Sequence, residues 1–222
     1  MILIKFEQIE EVFEYTPAQD EFIAKIPLDY KDAWDGNFED LVLSNVLRRG
    51  SASFRDKMKD DIKNKLTNIQ GNYCIYCGIT FRLVGISERE HIADKATYPQ
   101  FVFKNQNLAL ACHYCNGFAK KGTQNTVAEL HDEYDKCKFL IVHPYLDDIH
   151  KHIEFISKEY KVLMRPKDGS VKGANTIEMF GLMDPEQTVL RGALYLKNKK
   201  NDELQPDSLE FAEEIMIVGK RF

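Results

Sequence analysis

The chain has no run near the roughly 20 apolar residues that a membrane-spanning helix needs; residues 139–142 are among its longest. It also has no leader pattern, because the apolar residues 1–6 run directly into acids, and it reads as cytosolic. Internal repeats and low-complexity linkers are absent too, which excludes solenoids and tethered arrays. Nor is there an excess of basic charge. The 222 residues carry a formal net charge of −5, unusual for a protein that holds nucleic acid along its whole surface. What remains is an ordinary globular composition, 44% hydrophobic and 29% charged, at a length that suits one main domain with appendages.

The charge is distributed unevenly. Residues 1–45 hold three lysines against eleven acids, whereas residues 46–70 hold seven basic residues against three acids and residues 71–122 six against three. A basic centre beside an acidic arm is compatible with phosphate binding, and a solvated surface explains the same counts.

Local pattern gives a coarse map. Residues 2–6 read as a short strand, and Thr16-Pro17 as the cap and first turn of a helix. Phe54, Met58, Ile62, Leu66 and Ile69 recur at helical spacing, with Ser51 or Ser53 as the cap and Gly71 as the stop; this stripe reads as core. Residues 127–138 read as a polar helix, followed by a buried run at 139–142. A strand pair is expected at 152–155 and 160–164 ahead of an Asp168-Gly169 turn, and the last forty residues read as helical. The fold class is α+β, divided into a helical region 1–70 with the acidic arm, a central unit 71–126 and an α+β region 127–222.

Only five cysteines are present, too few and in the wrong setting for a disulfide framework. Four of them form two C-x-x-C pairs, Cys74/Cys77 and Cys112/Cys115. Each pair presents two thiolates suited to one tetrahedral Zn²⁺, and two pairs close the site, which makes it structural. A redox C-x-x-C is the competing reading, and the presence of two pairs argues against it. Cys137 stands alone and reads as a small buried hydrophobe. His113 lies within the second pair and is superfluous to a four-sulfur site. His143, His150 and His152 read as structural.

The interval between the pairs exceeds that of a common zinc ribbon, so a compact insert must lie there. It contains Glu90-His91, then Asp94-Lys95, then Asn107-Leu108; Asn116 and Lys120 follow the second pair. In this order the residues of 74–120 resemble the HNH endonucleases, whose ββα-metal fold is often clamped by two zinc knuckles. The likeness is greatest to the PtuB nucleases of the bacterial Septu anti-phage systems, with their pattern E-H-x-x-P-K, N-L and C-x-x-C-N-x-x-K. Downstream, His143-Pro144-Tyr145, Asp147 and His152-Ile153 are similar to a further segment of that family, as is Thr176-Ile177 ahead of Gly181-Leu182. Asp94 stands where the family pattern has proline, which adds a carboxylate and leaves the ligand set open.

The resemblance implies a zinc-stapled ββα-metal core with mainly helical flanks and a metal-dependent nuclease activity, with DNA as the expected substrate. His91 is then the general base. Glu90 and Asn116 are oxygen ligands of a catalytic Mg²⁺ or Mn²⁺, and Asn107 orients the hairpin that carries His91. Lys95 and Lys120 contact phosphate. A PtuA-like ATPase is the implied partner, and the acidic arm would dock it or hold nucleic acid away. Two alternatives stay open: a non-catalytic zinc module that binds nucleic acid or protein, and a standalone HNH nicking enzyme, restriction enzyme or RNase. Read singly, Asn116 fits a helix N-cap, and the two lysines fit a solvated surface.

Overall fold

The computed structural model describes residues 4–156 and 162–199. Thr16 caps α1 (Pro17–Ala24) through a capping box with Gln19, as its Thr-Pro signature predicts. After α2 (Glu39–Leu43), the long helix α3 (Ser51–Gln70) buries Met58, Ile62 and Leu66 completely or nearly so. Two details of this helix differ from expectation. Its N-cap is Gly50, at φ 89°, and neither Ser51 nor Ser53 caps it. Phe54 is partly exposed, and the buried face takes Arg55 instead, whose guanidinium donates to Gly36 O and lies 5.1 Å from the Phe38 ring. Gly71 stops the helix at φ 80°, a conformation that costs a glycine little.

The acidic arm is not a detachable tail. Phe13, Phe22, Ile26, Trp34, Phe38 and Leu41 pack with the α3 stripe and with Val102, Phe103, Leu108 and Leu110 in one apolar cluster. A second cluster joins Ile4, Phe6 and Ile9 to the four paired cysteines and to Phe180, Leu182 and Leu194 near the end of the described chain. Of the strand expected at residues 2–6, the described part is extended: Ile4 bridges Ile79, and Lys5 N–H donates to Gly78 O at 2.7 Å.

A short turn of helix, α4 (Phe81–Val84), leads into β1 (Ser87–His91), which pairs antiparallel with β2 (Leu108–Cys112); His91 lies opposite Leu108 and Ser87 opposite Cys112. The second strand runs directly into α5 (His113–Asn116). Gln70, the last residue of α3, acts as an extra strand partner: its side chain both accepts from Leu110 N and donates to Leu110 O.

Residues 127–138 are not helical. They form β3 (Val127–Glu129), a single turn at Tyr134–Lys136 and the start of β4 (Lys138–Phe139), a small antiparallel pair. Leu140 N–H donates to Thr126 O at 2.7 Å, so backbone pairing across this loop overrides local helical preference. The later strand pair exists with a shifted second member. After α6 (Ile149–His152), β5 (Ile153–Phe155) pairs with β6 (Met164–Pro166), and Tyr160 lies outside the described residues. The Asp168-Gly169 turn then leads into α7 (Val171–Met179) and α8 (Pro185–Lys199); residues 200–222 of the expected helical end lie outside the description. Among the described residues no helix is long and apolar enough to cross a membrane.

Candidate metal centre and adjoining pocket

The hairpin turn that carries Cys74 and Cys77 is closed by Gly78 N–H to Cys74 O, and Cys112 and Cys115 flank the first turn of α5. All four sulfurs are buried and lie within 4.8 Å of one another, with Cys77 Sγ 3.9 Å from Cys112 Sγ. A tetrahedron with metal–sulfur bonds of about 2.3 Å has edges of about 3.8 Å, so the donor set fits one zinc ion with no position left for substrate. Contact between the sulfurs splits the thiols. Cys115, Cys74 and Cys77 together push Cys112 well below the ordinary thiol range, and contact with Cys112 pushes Cys77 and Cys115 well above it. Four sulfurs this close favour a cation between them.

Arg191 of α8 is fully buried, with one guanidinium nitrogen lacking any partner. Burial draws it down to about 10, and the sulfurs of Cys77 and Cys115 act to raise it. Its guanidinium donates to Val162 O at 2.9 Å and to Leu182 O. Tyr76, between the first two cysteines, stacks on Phe180 at 3.7 Å and ties this centre to the segment after α7.

Beside the centre, β1 and α5 bound an open cavity of ≈ 830 Å³ whose walls include Glu88, Glu90, His91, Asp94, Lys95, Asn116 and Lys121. Successive strand residues face opposite ways, so Glu90 and His91 take different surroundings. Glu90 turns inward: it accepts from Tyr76 Oη at 2.9 Å and pairs with Lys121 Nζ at 2.9 Å, both partners being buried. Burial pushes its carboxyl above the usual range, and Lys121 and Tyr76 act against that. The Lys121 ammonium also donates to His91 O at 2.7 Å, fixing the end of β1.

The His91 ring packs edge-on against Trp34, centroids 4.5 Å apart, and its Nε2 lies 3.1 Å from Val102 O. A carbonyl can only accept, so Nε2 carries the hydrogen and Nδ1 is the basic nitrogen. Burial first, then the charges of Lys95 and Lys121, lower its pKa to about 3, which keeps the imidazole neutral near pH 7.

Asn107 is fully buried and uses its whole amide. Its Oδ1 accepts from Ala93 N at 2.7 Å and from Tyr134 Oη at 2.8 Å, and its Nδ2 donates to Ala93 O and Phe101 O. It pins the loop after His91 to the start of β2 without lining the cavity. Behind it, His143 Nδ1 accepts from Tyr145 N and Leu146 N, so its Nε2 carries the hydrogen and meets Tyr134 Oη at 2.9 Å. Donation then runs from His143 through Tyr134 to Asn107.

The remaining expected residues are placed less simply. Asn116 lines the cavity, and its Nδ2 donates to Glu88 Oε2 at 2.8 Å; Glu88 Oε1 lies 2.7 Å from Nδ1 of the exposed His113. Asp94 is spent on a turn, accepting from Thr97 N and Oγ1 through Oδ2. Lys95 lines the cavity but pairs with Asp35 at 2.5 Å. Lys120 turns away to Asp184 at 2.5 Å and over the Tyr114 ring, and Lys121 takes the place at the cavity. Among the described residues the four cysteines are the only group of three or more His, Cys, Asp and Glu close enough to hold one ion.

Sequence reasoning thus missed Glu88, Lys121 and Tyr76. Glu88 was within reach, since two residues along a strand return to the same face as Glu90. Nothing local distinguishes Lys121 from Lys120. No protein-family model, curated protein or solved structure matches the chain.

Proposed function

We propose that this protein is a metal-dependent HNH endonuclease that hydrolyses phosphodiester bonds in DNA, the effector of an anti-phage system with an ATPase partner. One observation carries the reading: a strand ending in Glu90-His91 and a short helix bearing Asn116 face one open cavity beside a four-cysteine centre. The strand–strand–helix order supports this reading, as does the hydrogen bonding of Asn107 to the loop after His91.

In this reading His91 takes the proton of the attacking water through Nδ1; the burial that keeps the ring neutral also makes it a weaker base than an exposed histidine. Trp34 and Val102 O hold the ring, and Asn107 holds the loop that follows it. Glu90 and Asn116, with Glu88 alongside, offer oxygen donors suited to Mg²⁺ or Mn²⁺. Such an ion stabilises charge on the phosphate and the leaving oxygen when bound. Lys121 pairs with Glu90 at 2.9 Å, so a divalent ion held by Glu90 would take the place of that ammonium.

A second reading, a zinc module that binds without catalysis, is favoured by the internal pairing of Glu90, Lys95 and Lys120. Plasmid cleavage by wild type and His91→Ala, with Mg²⁺ or Mn²⁺ and with the candidate ATPase supplied, separates the two. Metal-dependent nicking lost in the variant is expected, by roughly 100-fold or more. Equal cutting by both proteins, or none by either, moves the weight to the binding module.

A further inference from the structure

Asp35 is an exposed carboxylate in a tight turn of the acidic arm, closed by Gly36 N–H to Asp32 O. Both of its oxygens are taken by ammonium groups from other parts of the chain. Oδ2 lies 2.5 Å from Lys95 Nζ, on the loop after His91, and Oδ1 lies 3.2 Å from Lys59 Nζ, on α3. The preceding residue, Trp34, is the one that packs against His91, and Lys59 also donates to Trp34 O at 3.1 Å. Lys95 and Asp35 both act electrostatically on His91, in opposite directions. A monoanion with two oxygens thus sits between two lysines at the edge of the candidate site.

The geometry points to a backbone-phosphate subsite made of Lys59 and Lys95, which the Asp35 carboxylate fills when nucleic acid is absent. A phosphodiester presents the same charge and the same pair of unshared oxygens. The Asp35 carboxylate is 64% exposed, so solvent screens its pairing, whereas a lysine that neutralises a phosphate also releases a condensed counterion. Arg55 anchors Gly36 through its carbonyl, so the turn stays in place and only the Asp35 side chain has to swing out. The acidic arm then acts at this one residue, as a substrate mimic, rather than as a diffuse negative screen.

This inference rests on the nuclease reading for its substrate, and it can fail separately. The test is fluorescence anisotropy of a labelled 20-mer DNA duplex, titrated with salt and without added divalent cation. Asp35→Asn should bind several-fold more tightly than wild type, with a slope of log K against log salt steeper by about 0.9 for each lysine released. Lys95→Ala or Lys59→Ala, placed in the Asp35→Asn background, should remove the gain. Asp35→Ser serves as the second variant, with unfolding temperature as the check on folding. Equal binding by wild type and both Asp35 variants, including no binding by any, overturns the subsite. So does a gain that survives loss of both lysines. If His91→Ala cuts as wild type does while the Asp35→Asn gain holds, the nuclease reading fails and the subsite stands.

Discussion

Asn107 has four hydrogen bonds in the buried interior, and each partner except Tyr134 is backbone of the loop it pins. Truncation to alanine strands these groups, so Asn107→Ala should lose about 3 kcal/mol or more of unfolding free energy in urea. Tyr134→Phe removes one member of the chain and should cost about 1–2 kcal/mol. His143, at the far end, is held neutral: burial lowers it to about 3 from an ordinary value of 6.5. Between those values the unfolded chain binds a proton that the folded chain refuses, so stability falls as pH drops from 6.5 toward 3. The slope is up to about 1.4 kcal/mol per pH unit. Stability curves for wild type and His143→Gln should therefore converge on acidification, because the variant lacks this penalty; parallel curves would contradict the assignment. At this scale much was legible. Glu90, His91, Asn107 and Asn116 were marked by order and spacing, whereas Lys121, Tyr134 and Asp35 reach the same neighbourhood from distant parts of the chain, which one-dimensional spacing does not encode.

Among the elements, α1 and α3 were readable because their signals are local: a capping box at Thr16 and a stripe at Met58, Ile62 and Leu66. The 127–138 segment was not, because its state is decided by a partner strand and by Thr126 Oγ1 bonded to Ile92 O. The first cysteine turn shows how tightly elements meet. Gly78 has φ 69°, and a Cβ there would lie 2.6 Å from Lys5 O and 2.9 Å from the Phe6 ring. Gly78→Ala should dislodge the N-terminal segment and destabilise by about 2 kcal/mol, partly through the backbone conformation itself. Thermal unfolding checks the loss, and faster amide exchange confined at first to residues near 4–9 and 79 would locate it.

For the molecule as a whole, the four-cysteine centre lies in a cluster that joins residues 4–9 to Leu194 of α8. Two cysteines lie shortly after α3, two lie at α5, and Arg191, a buried charge on which Cys77 and Cys115 act, comes from α8. A zinc ion held by four thiolates would carry two negative charges, and the buried Arg191 would offset part of them. Arg191→Met should lower zinc affinity by roughly 10-fold or more, read as faster transfer to a chromophoric chelator; Arg191→Lys should recover part of it. The mixture of helix and strand and the clustering of the four cysteines were legible from local pattern and paired cysteines. The interleaving was not. Residues 4–9 join the later half of the chain and residues 102–110 join the earlier half, so neither cluster is contiguous in sequence.

Tyr134 and His143 follow the hairpin they brace, by 27 residues in the case of Tyr134 and Asn107, and Lys121 follows Glu90 in the same way. During synthesis on the ribosome the hairpin emerges before its supports. The nascent chain therefore has His91 beside Trp34 and Val102, which hold its ring, before Tyr134 and His143 brace Asn107 and Lys121 pairs with Glu90. Completion of the candidate site waits for those later residues.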